Sequence, residues 1–138
     1  MRTIAQILME AGTLSPGFHL HVENPPWMPL DIEDIETSGP NGLPTISVAH
    51  YGKQNGDPMR DPEMLFEVRR DGSGIELFAY YWRNDYLGIE QYSSYRDDEQ
   101  KLLTLAGLKQ RHEQFARVWD RNLRAQGFYE AFVHSHSR

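Results

Sequence analysis

Apolar and polar residues alternate over several short stretches of the chain, and this period of two predicts strands. In "FHLHVE", Phe18, Leu20 and Val22 point one way while His19, His21 and Glu23 point the other. In "TISVAHY", Ile46, Val48 and His50 form a core-directed row, with Ser47, Ala49 and Tyr51 opposite. "MLFEVRR" sends Met64, Phe66 and Val68 inward and Leu65, Glu67 and Arg69 outward, and "DGSG" predicts a hairpin turn into "IELFAYYWR". That last stretch is apolar or aromatic at nearly every position, as in a strand covered on both sides. Simple alternation puts Phe78, Tyr80 and Trp82 on one of its faces and Ala79 and Tyr81 on the other. "LDIEDIE" alternates until Ile35 falls on the wrong parity, which predicts a bulge or a strand end, and "IEQYSSY" reads as a final strand.

Helical spacing governs the two ends. Ile4, Ile7, Leu8 and Ala11 share a face of a short N-terminal helix, with Thr3 as its N-cap, Gln6 completing a capping box and Gly12 ending it. From about Leu102 to Gln126, Leu108, Phe115, Val118, Trp119, Asn122 and Leu123 cluster on one side of a long helix. Residues 129–138 follow Gly127 as a tail whose aromatics dock back while its end stays loose. "NPPWMP", with three prolines, reads as an extended connection carrying Trp27 and Met28. The expected fold is α+β: a mostly antiparallel sheet of about five or six strands, with the short and the long helix packed on it, in a single domain of 138 residues.

Composition narrows the function classes. The absence of cysteine removes thiol nucleophiles, disulfides and Cys-ligated zinc. No apolar run reaches the ~20 residues of a membrane span, and the N-terminal apolar patch is interrupted by Gln6 and Glu10, so a cytoplasmic protein without a membrane partner is expected. A formal net charge of −6 disfavours nucleic acid as a partner. Neither a glycine-rich phosphate loop nor a G-x-S-x-G elbow is present, so no cofactor is expected and no catalytic residues are assigned.

The densest polar stretch is "HYGKQNGDPMRDPEM", residues 50–64, read as a long loop between two strands. His50, Tyr51, Asp57, Arg60, Asp61 and Glu63 are the candidate binding residues. A metal-dependent hydrolase or nuclease could use His50, Asp57, Asp61, Glu63 and Glu67, but "EVR" carries Arg69 where that chemistry calls for lysine. Turn formation and local pairing of Arg60 with Asp57 and Asp61 explain the loop's polarity equally well. His19 and His21 share a strand face and could hold one metal ion together, with Glu23 continuing the row. A third ligand such as His50 lies on the other parity, so no metal site is assigned. The basic side of the long helix offers a further contact for phosphates, although Glu113 and Asp120 stand four residues before Arg117 and Arg124 as ordinary helix pairs. The aromatic strand wants cover from the chain itself, from a homodimer or from another protein.

The stretches "ENPPWMPLDIEDI", "GLPTISVAHYGKQNGDPMRDPEMLFEV", "YYWRNDYLGIEQ" and "FARVWDRNLRAQGF" resemble a family of uncharacterised bacterial domains found in plasmids, phages and integrative conjugative elements. The resemblance runs from about Phe18 to Phe128 and implies an accessory gene of mobile DNA, without supplying functional residues. That setting favours a non-enzymatic protein-binding module using residues 50–64. The acids Glu23, Asp31, Glu33, Asp34 and Glu36 form the surface on which DNA mimicry would rest.

Overall fold

The computed structural model describes residues 1–12 and 14–136. A short helix, α1 (Arg2–Ala11), precedes six strands: β1 (His19–Asn24), β2 (Trp27–Ser38), β3 (Pro44–Gln54), β4 (Asp57–Asp71), β5 (Gly74–Asn84) and β6 (Ile89–Tyr92). They form one antiparallel sheet in sequence order, each strand pairing with the next. A ribbon of β7 (Ser94–Arg96) and β8 (Leu102–Thr104) leads into α2 (Ala106–Ala125) and α3 (Phe128–His136). This is the expected α+β class, with the expected helices and sheet.

The core lies between the helices and one face of the sheet. Ile4, Ile7 and Leu8 of α1, Trp119 and Leu123 of α2, and Phe128 and Phe132 of α3 meet Val22, Leu30, Ile32, Ile46, Val48, Met64 and Phe66 from the strands. The period-two reading therefore selects the correct inward rows in β1, β3 and β4. It also locates the irregularity of β2, whose register with β3 shifts between Asp34 and Ser38.

Several expectations need correction. Residues 50–64 are not a loop: β3 and β4 run through them as a hairpin, and only Asn55 and Gly56 lie between the strands. Both have positive φ, 53° and 86°, which is the conformation an Asn-Gly two-residue turn supplies. Pro58 is tolerated beside this turn, and Pro62 sits where the β3–β4 register shifts, so neither proline interrupts a regular ladder. A second register shift, between Leu65 and Phe66, sets Ala79 opposite Phe66 and Tyr81 opposite Leu65. It breaks the simple parity of β5, so Trp82 packs against the core and against Phe115 while Tyr80 bonds to Thr45 Oγ1.

Trp27 and Met28 begin β2 rather than lying in a connection. "IEQYSSY" divides into β6 and β7, and Leu102–Thr104 pairs with β7, so α2 starts later than helical spacing alone suggests. The buried row of α2 is His112, Ala116, Trp119, Asp120 and Leu123, whereas Phe115 and Val118 are exposed. Two polar members rotate this face away from the purely apolar choice. The expected tail over 129–138 is helical as far as it is described, in α3, where Phe128 and Phe132 are buried as docked aromatics; residues 137–138 lie outside the described residues.

Thr3 is not the cap of α1. The helix has Met1 at its N-cap without a side-chain bond, and the Thr3 N–H donates to Asp120 Oδ1 on α2 at 2.8 Å. An acid distant in sequence thus meets one of the donors that a helix start leaves unpaired.

Candidate functional site

All three helices pack on one face of the sheet, and no described helix packs on the other. Side chains on that open face follow from register. Direct partners run His21, Asp31, Ala49, Glu63, Arg83, Glu90 across the six strands, and beside them His19, Glu33, Ser47, Leu65, Tyr81, Tyr92. The two rows divide into a histidine–acid block over β1 and β2, small residues on β3, and a tyrosine–arginine–acid group over β4 to β6.

The second group is tied together by a continuous network. Ser47 Oγ donates to Glu63 at 2.5 Å, and Arg60 Nε lies 3.2 Å from Glu63 Oε1, close enough for an ion pair though not aligned as a hydrogen bond. The Arg60 N–H donates to Asp85 Oδ2 at 2.8 Å, Arg83 Nε donates to Asp85 Oδ1 at 2.7 Å, and Tyr81 donates to Glu90 at 2.5 Å. Tyr92 meets the Tyr81 ring edge-on, with centroids 4.7 Å apart.

These contacts bias the protonation states. Burial works against ionisation of Asp85, yet the Arg60 N–H and the Arg83 guanidinium hold its carboxyl below the usual range. Burial and the adjacent Glu90 carboxylate push the Tyr81 phenol far up. Burial also raises Tyr51, which lies directly opposite Arg60. The network therefore holds Tyr51 and Tyr81 against ionisation among paired charges.

At one end of the open face, residues 39–43 cover Glu67. Its carboxylate accepts from the N–H groups of Asn41 and Leu43 and from Asn41 Nδ2, at 2.8–3.1 Å. Glu67 points to the outward side of its strand, as alternation predicts, but it is only 1% exposed. Beside it lies a groove of about 390 Å³ in which Leu65 and Tyr80 sit between Ile35–Pro40 and Tyr92–Arg96.

The sequence candidates separate on this framework. Tyr51, Arg60 and Glu63 are together on the open face. His50 leaves the other way, packs against Trp119 and Phe128, and donates from Nδ1 to the Pro29 carbonyl; burial lowers its pKa. Asp57 sits at the exposed hairpin tip, and Asp61 accepts from Asn84 Nδ2. The ligand set His50, Asp57, Asp61, Glu63 and Glu67 is thus spread over the core side, the tip, the network and a buried pocket. Tyr81, which the aromatic strand already offered as a residue wanting cover, completes the open face with Arg83, Asp85 and Tyr92; these three are not among the sequence candidates, because cross-strand neighbours become visible only once register is known.

Over β1 and β2, the two histidines converge on one acid. His19 Nε2 lies 2.6 Å and His21 Nδ1 2.7 Å from Asp31 Oδ1, and His21 Nε2 lies 2.9 Å from Glu23 Oε1. Hydrogen bonds to Glu23 and then Asp31 raise the His21 pKa. Among the described residues this is the one cluster of histidines and acids with metal-ligand spacing.

The architecture can be set against known proteins. The family model described as "Domain of unknown function (DUF6908)" matches residues 2–129. The chain belongs to this family. The DUF6908 match takes in α1 and all six sheet strands, along with α2 and the start of α3, and so spans both faces described above. No curated protein and no solved structure matches the chain.

Proposed function

We propose that this DUF6908 domain is a non-enzymatic accessory protein of mobile genetic elements that binds a protein partner through the helix-free face of its sheet. The observation that carries the reading is the prearranged Tyr–Arg–acid network over β4 to β6, lying next to a partly apolar groove. Tyrosine and arginine dominate the energetics of protein interfaces, and side chains already held in place lose little entropy when a partner docks. Residues 50–64 contribute Tyr51, Arg60 and Glu63, so the expected surface is retained in part but moves from a loop to strand faces. Glu23, Asp31, Glu33, Glu63 and Glu90 give this face an acidic excess, which suits a partner with a basic contact surface. The mobile-element setting rests on the sequence resemblance alone.

The test uses affinity capture from cells carrying the gene, with wild-type protein, an Arg60→Ala/Tyr92→Ala variant and an Asp57→Asn variant. A protein retained by wild type and Asp57→Asn, lost by the double variant, and binding again when purified supports the reading. Equal retention by all three, with circular dichroism unchanged, removes the face from the interaction.

A second reading has its own observation. Arg2, Arg117, Arg121 and Arg124 line one cleft between α1 and α2, a local gathering of positive charge. It favours nucleic-acid contact through α2. Salt-dependent retention on DNA or RNA that Arg117→Gln/Arg121→Gln abolishes would support it, and no retention at low salt would exclude it.

A further inference from the structure

The histidine–acid block over β1 and β2 adds acidic charge to the proposed interface, but that role leaves its two histidines unexplained, and its geometry asks for a cation. His21 stands directly opposite Asp31, and His19 directly opposite Glu33. Antiparallel pairing therefore builds a two-by-two patch in which each histidine faces an acid. Asp31 is 7% exposed, yet its Oδ1 is approached by ring nitrogens from both histidines. A neutral imidazole has a single N–H, so His21 cannot donate to Asp31 and to Glu23 at once. One ring nitrogen needs either a second proton or a metal ion in its place.

We infer that His19 Nε2, His21 Nδ1 and Asp31 Oδ1 form a binding site for a divalent transition-metal ion such as zinc. Three features support this beyond the cluster itself. The three ligand atoms lie within 4.8 Å of one another, and atoms held about 2 Å from one ion stand about 3 Å apart, so small side-chain rotations admit the metal. Glu23 Oε1 accepts a hydrogen bond from His21 Nε2–H, the outer carboxylate contact that fixes a metal-binding tautomer with the Nδ1 lone pair free. Glu33 Oε1, 3.7 Å from His19 Nε2, is placed to close the coordination, while Ala49 and Ser47 on β3 leave room on the other side. Two imidazoles with carboxylates select a borderline dication over magnesium or calcium, which prefer all-oxygen sites. Neutral histidines leave Glu23, Asp31 and Glu33 with three negative charges on this patch, a charge that a dication offsets.

The test is calorimetry on chelator-treated full-length protein with zinc, using magnesium as a control and cobalt as a spectroscopic probe. One zinc per chain is expected, with visible cobalt bands typical of nitrogen and oxygen ligation and no heat from magnesium. His19→Gln and Asp31→Asn should each weaken zinc at least a hundredfold, and Glu23→Gln about tenfold, the range seen for outer-shell partners. His19 is half exposed, so its variant keeps the test valid should Asp31→Asn fail to fold. His136→Gln should leave binding unchanged. No zinc binding by wild type, unchanged affinity in His19→Gln, or loss of binding in His136→Gln would each overturn the site.

Discussion

The Thr3 N–H and the Asp120 carboxylate meet at 2.8 Å across 117 positions of sequence, so the start of α1 is completed by α2 rather than by its own first turn. Asp120 is 6% exposed, and Arg124 Nη2 approaches its other oxygen at 3.3 Å. Burial works against its ionisation, but the Thr3 N–H and nearby positive charge hold its pKa below the ordinary carboxylate value. Asp120→Ala should cost about 1–2 kcal/mol, the range for losing a helix cap, in urea unfolding at pH 7. A group depressed in the folded state stabilises above its unfolded pKa and loses that contribution as pH falls through the folded value. The gap between wild type and variant should therefore close on acidification below about pH 4, the unfolded value.

His50 gives a second pH signature. Burial against Trp119 and Phe128 lowers its pKa, so the folded state holds it neutral and the unfolded state protonates first. Its contribution is complete above about pH 6.5 and declines as pH falls from there toward the lowered folded value. His50→Leu removes this titration. The unfolding free energy of the variant should fall less than that of wild type between pH 7.5 and 5, measured by denaturant midpoints on both proteins.

Gly39 and Glu67 form a close pair in which any side chain at position 39 collides. A Cβ there would lie 2.2 Å from Glu67 Cγ, and Glu67 cannot swing away without abandoning three hydrogen bonds to residues 41 and 43. Gly39→Ala should destabilise by about 1–3 kcal/mol, the cost of overpacking. Glu67→Gln should cost a similar amount, because an amide group presents a donor where the site supplies only donors. Thermal unfolding of the two variants distinguishes this packed anchor from a flexible loop, for which both changes would be nearly silent.

Much of the fold was legible because its signals are local. Alternation marks Val22, Ile46, Val48, Met64 and Phe66 as inward, and each is buried. What alternation could not reveal depends on pairing between distant residues. The shift between Leu65 and Phe66 changes which aromatics of β5 share a face, and nothing in "IELFAYYWR" announces it. Asp120 reads as a surface residue of a helix, yet its partner Thr3 makes it part of the buried row, which His112 joins through Ser93 and Gln91.

The candidate site was half legible for the same reason. Tyr51, Arg60 and Glu63 drew notice through their polar density, and they lie on the open face. His50 did not join them, because adjacent strand residues leave on opposite sides. For the histidines, sequence spacing placed His19 and His21 together but sought a third ligand in His50. Asp31, on the neighbouring strand, is the acid that both rings approach and the third ligand of the inferred site.

Photo-crosslinking in cells carrying the gene tests the proposed use of the open face most directly. Benzoylphenylalanine replaces Tyr92 on that face in one variant and Val118 on α2 in another; both positions are exposed, at 46% and 45%. A discrete protein adduct from position 92 and none from position 118 is the expected result. An adduct from position 118 alone, or from neither position, would contradict a protein-binding role for the helix-free face.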